Sequence, residues 1–166
     1  MPSVLFTVTI EIKPYLKKWL LAKSENKKFP LKFPRKHDYN ILLLNLVTNY
    51  NSLSSIPLQD RENVLEYFRP SCQQDPGPGV TIILPFNSRK DIRSYNYLSV
   101  ASKKTFRREV RMDFNFEFNR FLIENLRKKK RRLDIVNEFK EKYDISEDDL
   151  KTESLYRYSS RLLEDL

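Results

Sequence analysis

The sequence predicts an α+β protein: a strand-containing N-terminal half, then a predominantly helical C-terminal half ending in a tri-helical, helix-turn-helix-like unit. Three observations carry this. Two β-branched apolar runs, Val4–Ile12 and Val80–Phe86, read as strands. Phe106, Val110, Phe114, Phe118, Leu122 and Leu126 recur at every fourth position, the packing row of a long helix. Beyond them lie two short amphipathic segments, 133–143 and 153–163.

Along the chain, Pro14 is placed to open a helix over Tyr15–Ala22, since proline suits a first helical turn. Phe29–Phe33 reads as a second extended piece, and Asp38 as the cap of a mostly buried helix over Tyr39–Tyr50. Asp60–Phe68 is expected to be helical, ended by Pro70. Pro70–Gly79 is a low-complexity loop, and the main organisational break falls there or after Asn96, giving an α+β region 1–96 and a helical region 97–166. The pattern strand, proline, Arg-Lys, capping Asp occurs at Phe33–Asp38 and again at Leu84–Asp91, an echo short enough to arise by chance. Val110, Met112, Phe114, Phe116 and Phe118 also alternate with polar residues as a strand would; the uninterrupted continuation to Leu126 favours helix.

Composition removes several function classes. The 166 residues include two glycines, Gly77 and Gly79, too few for a glycine-rich phosphate cradle, and neither G-x-G-x-x-G nor a P-loop is present. One Cys and one His, Cys72 and His37, cannot build a Cys/His zinc site, so no metal or other cofactor is expected. An unpaired cysteine, no apolar run of membrane-spanning length and no leader pattern at Val4–Ile10 together predict a soluble cytoplasmic chain. Catalysis finds little footing. Glu11-Ile12-Lys13 lacks the strand-borne Asp of a nuclease site, and Asp144, Glu147, Asp148 and Asp149 lack the spacing of a calcium loop. No nucleophile elbow occurs, and His37 has no partner for base catalysis, leaving it a surface or capping role. The expectation is a non-enzyme.

The net charge of +9 is unevenly laid out. Residues 1–40 are net +6, 41–78 net −2, 79–132 net +10 and 133–166 net −5. The densest run is Arg127, Lys128, Lys129, Lys130, Arg131 and Arg132, whose mutual repulsion calls for solvent, counter-charge or phosphates. Behind it, Leu133, Val136, Phe139 and Tyr143 share one helical face with Ile135 beside them. Ser146 and Asp149 have capping-box spacing, and Thr152 is placed to cap a last helix with Leu155, Tyr158 and Leu162 inward. That helix would present Tyr156, Arg157, Ser160 and Arg161 outward, residue types that take base edges and phosphates.

The string I-V-x-E-F-x-x-K-Y-D-I-S-E-D-D-L-x-x-E-S-L-Y-R-Y, within residues 130–162, loosely resembles the C-terminal helical units of small DNA-binding proteins of bacteriophages and mobile elements. The resemblance implies a DNA-binding regulator or accessory factor. In that reading Arg107, Arg108, Arg111 and the basic run neutralise phosphates, while the last helix touches the groove. Duplex DNA is favoured as partner over RNA. Two other readings stand beside it. The last two helices can be a plain hairpin packed on the fold. Alternatively the chain is a structural or assembly protein of a phage-like particle, self-associating through its basic middle and acidic tail.

Overall fold

The computed structural model describes residues 6–47, 66–67, 77–84 and 97–164, which divide into two compact units. The first comprises residues 1–12 and 23–108, the second 13–22 and 109–166. In this grouping Lys13–Ala22 falls with the residues from Glu109 onward, and residues 97–108 fall with the first unit. The α+β class holds.

The first unit is built on a three-stranded antiparallel sheet of order β2-β1-β3, with β1 Phe6–Glu11, β2 Glu66–Tyr67 and β3 Gly79–Leu84. Register runs from Phe6 opposite Leu84 to Glu11 opposite Gly79. Alternation sets the faces: Val8, Ile10, Val80, Ile82 and Leu84 are buried, while Thr9 and Thr81 pair across the strands, hydroxyl to hydroxyl at 2.9 Å. A Cβ at Gly79 would lie 3.1 Å from Thr9 Cγ2, a tight contact that a shift of a few tenths of an ångström in the neighbour would have to relieve. The expected strand at Phe29–Phe33 reduces to a parallel bridge at Leu31, whose N–H donates to Thr81 O (2.7 Å) and whose carbonyl accepts from Ile83 N (2.8 Å).

Helix α2 (Asp38–Leu46) starts one residue earlier than expected, and its cap is His37 rather than Asp38. The His37 Nδ1 accepts from Tyr39 N–H at 3.2 Å, so the proton of the neutral ring lies on Nε2. His37 also packs its ring on Phe33 (4.8 Å) and Tyr39 (4.9 Å), apolar contacts that an aspartate cannot make. Buried Asn40 ties the helix to the preceding segment, donating to Phe33 O and Pro34 O. The helix expected over Tyr39–Tyr50 stops at Leu46, where Val47 turns extended as its C-cap; residues 48–50 lie outside the described residues. The helix expected over Asp60–Phe68 is contradicted at Glu66–Tyr67, which pair with β1 as a strand; the rest of that segment and the second copy of the echo at 85–91 lie outside the described residues.

Helix α3 (Val100–Arg127) is capped by Ser99, whose Oγ accepts from Ser102 N–H, and it runs without the strand that the Val110–Phe118 alternation also allowed. Its residues from Glu109 onward belong to the second unit, with α1 (Pro14–Lys23) up to Ala22, α4 (Arg132–Lys142) and α5 (Thr152–Glu164). The fourfold row is the core stripe: Val110, Phe114, Phe118 and Leu122 are buried. Phe139 of α4 is wholly buried among Phe114, Phe118, Phe121 and Tyr143, ring centroids 5.0–5.6 Å away. Tyr15 and Trp19 of α1 pack edge-on to Phe114 at 5.0 and 6.0 Å, and Tyr158 of α5 reaches Phe118 at 6.0 Å. On α4 and its C-cap the buried face is Ile135, Val136, Phe139 and Tyr143; Leu133, expected inside, is 49% exposed. No described helix is long and apolar enough to cross a membrane.

Because one ring contacts three α3 aromatics, Phe139→Ala is expected to cost about 3–5 kcal/mol. Urea unfolding followed by the fluorescence of Trp19, the single tryptophan and a member of this unit, measures it.

Candidate nucleic-acid interface

The basic run forms the turn between α3 and α4. Its backbone closes the end of α3 by two hydrogen bonds, Lys130 N to Asn125 O (3.3 Å) and Lys129 N to Leu126 O (2.9 Å). These are the paired bonds of a Schellman motif, which places the residue between them in the left-handed region. That residue is Lys129, with φ of 59°. Glycine ordinarily fills this position, since a Cβ there costs about 1–2 kcal/mol. In a chain with two glycines the same device recurs at the end of α4: Ile145 N bonds Lys140 O, Asp144 N bonds Glu141 O, and Asp144 has φ of 52°.

The six cations are not equivalent. Lys130 holds Glu138 at 2.7 Å. Arg132 lies over the Tyr156 ring, 4.6 Å from its centroid, and donates to Ser160 Oγ at 2.9 Å. Arg127, Lys128, Lys129 and Arg131 are exposed, with no ion pair among the described residues. Arg131 sits at the N-cap of α4 without a side-chain capping bond. Their charges therefore stand together at one turn, exposed to solvent.

Other sequence-selected residues are dispersed. Arg111, exposed on α3, stands 16 residues from Arg127, about 24 Å along the helix axis. Arg107 and Arg108 lie on the stretch of α3 that belongs to the first unit. On α5, Tyr156 and Ser160 are half-buried against Arg132, so they are not simply outward-facing, and Arg157 pairs with Glu153 of its own helix. Arg161 is exposed. Leu155 and Ser159 form the buried face of α5, with Tyr158 and Leu162 half-buried.

Between α4 and α5 the connector is pinned with the help of two lysines that the sequence pattern did not single out, Lys140 and Lys18. Lys140, its side chain 7% exposed, bonds the Glu147 carboxylate and Thr152 Oγ1. Glu147 also accepts Thr152 N–H (2.9 Å) and Thr152 Oγ1–H (2.8 Å), so Glu147 caps α5 and Thr152 is its first residue, contrary to the expected Thr152 cap. The Ser146–Asp149 pair forms the expected reciprocal box, with Lys18 of α1 added at 2.8 Å from Asp149. The Lys140 ammonium, with the Thr152 hydroxyl and N–H, holds Glu147 down to about 2. Partial burial works upward on Asp149, but Lys18 and Ser146 outweigh it and hold the carboxyl at about 2. An open cavity of about 360 Å³ beside this lock is lined by Lys140, Glu141, Asp144 and Glu147 among others; three carboxylates to one engaged ammonium make it no seat for a phosphate.

Glu117 is a second hidden node. It is 12% exposed and accepts from Trp19 Nε1 (3.3 Å), Tyr143 Oη and Lys142 Nζ (3.5 Å). Burial first, and the Glu117 carboxylate second, push the Tyr143 phenol well above its ordinary value. Among the described residues no group of three or more His, Cys, Asp or Glu could hold a metal ion. No protein-family model, curated protein or solved structure matches the chain.

Both depressed carboxyls stabilise the fold above their ordinary values of 4.5 and 3.8, and that stability is lost as pH falls through about 2. Thermal unfolding between pH 5 and pH 2 is expected to show a falling midpoint, with a flatter dependence in a Glu147→Gln/Asp149→Asn variant than in the parent.

Proposed function

We propose that the chain is a non-catalytic DNA-binding protein, of the regulator or accessory type found in bacteriophages and mobile elements, with the α3–α4 turn as its phosphate contact. The observation that carries this reading is Lys129 in the left-handed position of a Schellman turn, amid three further exposed cations. A glycine there would relieve the backbone, so the lysine trades stability for charge at a turn where four exposed cations stand together. Arg161 is the α5 cation left to touch bases or backbone, since Arg157 is engaged by Glu153. Lys130 and Arg132 serve the fold, which makes the contact smaller than six cations imply.

The rival reading, assembly of basic middle on acidic tail, is less favoured. Glu138, Glu147, Asp149 and Glu153 of the tail each already hold a cation of the same chain.

Four phosphate contacts imply a log–log salt slope of about −3.6 on duplex DNA, measurable by fluorescence anisotropy. Lys129→Gly is expected to act in opposite directions on two readouts. It should stabilise the fold by up to about 1 kcal/mol while weakening binding alike for all sequences and reducing the slope by about 1. Unchanged DNA affinity in this variant, or no salt-dependent binding by the parent, would overturn the proposal.

A further inference from the structure

Helices α4 and α5 run antiparallel, and two side-chain contacts, eight residues apart on each helix, fix their register. At one end Arg132 donates to Ser160 Oγ at 2.9 Å and lies over the Tyr156 ring. At the other, Lys140 donates to Thr152 Oγ1 at 3.0 Å. The basic turn leads straight into Arg132, so it stands beside the C-terminal half of α5. The N-terminus of α5 stands at the far end, about 12 Å away along α4. That is more than the roughly 8 Å over which a charge acts in physiological salt.

A helix that reads bases from a helix-turn-helix enters the major groove with its N-terminal residues, and its leading N–H groups suit phosphate. Neither condition is met by α5. The N–H of Thr152, its first residue, already donates to the Glu147 carboxylate at 2.9 Å. Around it, residues 141–153 carry six carboxylates and two lysines, net −4, and Asp144, Asp148 and Glu153 are exposed. A duplex approaching that end meets charge of its own sign. The side chains with base-reading chemistry are also engaged within the chain. Tyr156 carries the Arg132 guanidinium, and the Ser160 hydroxyl accepts from Arg132 while donating to Tyr156 O at 3.1 Å. Arg157 is held by Glu153. Exposed Arg161, next to Ser160, stands at the end of α5 nearer the basic turn.

Resting on the reading of the α3–α4 turn as a phosphate contact, we propose that the chain binds duplex DNA through its backbone alone, in any sequence. Arg161 joins the four exposed cations of the turn, and the N-terminal end of α5 stays outside the groove. The full chain is titrated by fluorescence anisotropy into A·T-rich and G·C-rich duplexes and taken through selection on a randomised duplex pool. Affinities should agree within about tenfold, where a sequence reader separates its site from other DNA by about 10³-fold or more, and selection should enrich no common site. Arg157→Ala should leave every affinity unchanged, whereas Lys128→Ser should weaken all of them by the same factor. Both side chains are exposed, so thermal unfolding should show each variant folded. A selected site bound more than about tenfold above the pool, or either variant changing the ranking of the duplexes, would overturn the inference and leave the phosphate contact standing. A parent that binds no duplex would overturn both.

Discussion

The helical unit depends on the burial of one ring. Phe139 has no solvent exposure and packs on three aromatics of α3 and on Tyr143 of its own helix. Edge-to-face aromatic pairs add about 0.5–1.5 kcal/mol each beyond area burial, so this position orients α4 against α3. Everything discussed as a site follows from that orientation. It carries the N-terminus of α4, and hence the basic turn, to a defined place. It also aims Lys140, the next residue, at Glu147 and Thr152, where it pins the connector to α5.

Scarcity of glycine shapes the two turns that flank α4. A chain ending helices with left-handed residues normally spends glycines on them. Here both glycines lie at the entrance to β3, and Lys129 and Asp144 take the left-handed positions instead. Asp144 is fully exposed and 3.9 Å from Lys18, so its strain has a modest electrostatic return. Lys129 has no such return among the described residues, and that asymmetry makes the first turn the better functional candidate.

The charge layout resolves into two kinds of residue. Cations that reach a carboxylate or an aromatic face become part of the fold: Lys130, Arg132, Lys140 and Lys18. At the α3–α4 turn those that do not, Arg127, Lys128, Lys129 and Arg131, are left as a patch. The acidic tail is therefore less a free surface than a set of internal counter-charges and caps, with Glu147 and Asp149 held ionised far below their ordinary range.

Periodicity and turn chemistry made much of this legible from the residues alone. The fourfold apolar row, once carried past Phe118 to Leu126, specified α3 and its buried face, the β-branched runs specified β1 and β3, and Ser146–Asp149 declared its box, because each is a local pattern that the backbone can satisfy without a distant partner. Where a tertiary partner decides, local pattern was insufficient. His37 outcompeted Asp38 as a cap through its contacts with Phe33 and Tyr39, and Glu66–Tyr67 became a strand because β1 offered an edge. Glu147 took the capping role from Thr152 because Lys140 neutralises it. For the candidate site, the sequence by itself determined that six cations stand in a row between two helices. Only the tertiary structure decided which of them are bound by their own chain and which face water, since a charge's partner is a matter of distance in space and not of position along the chain.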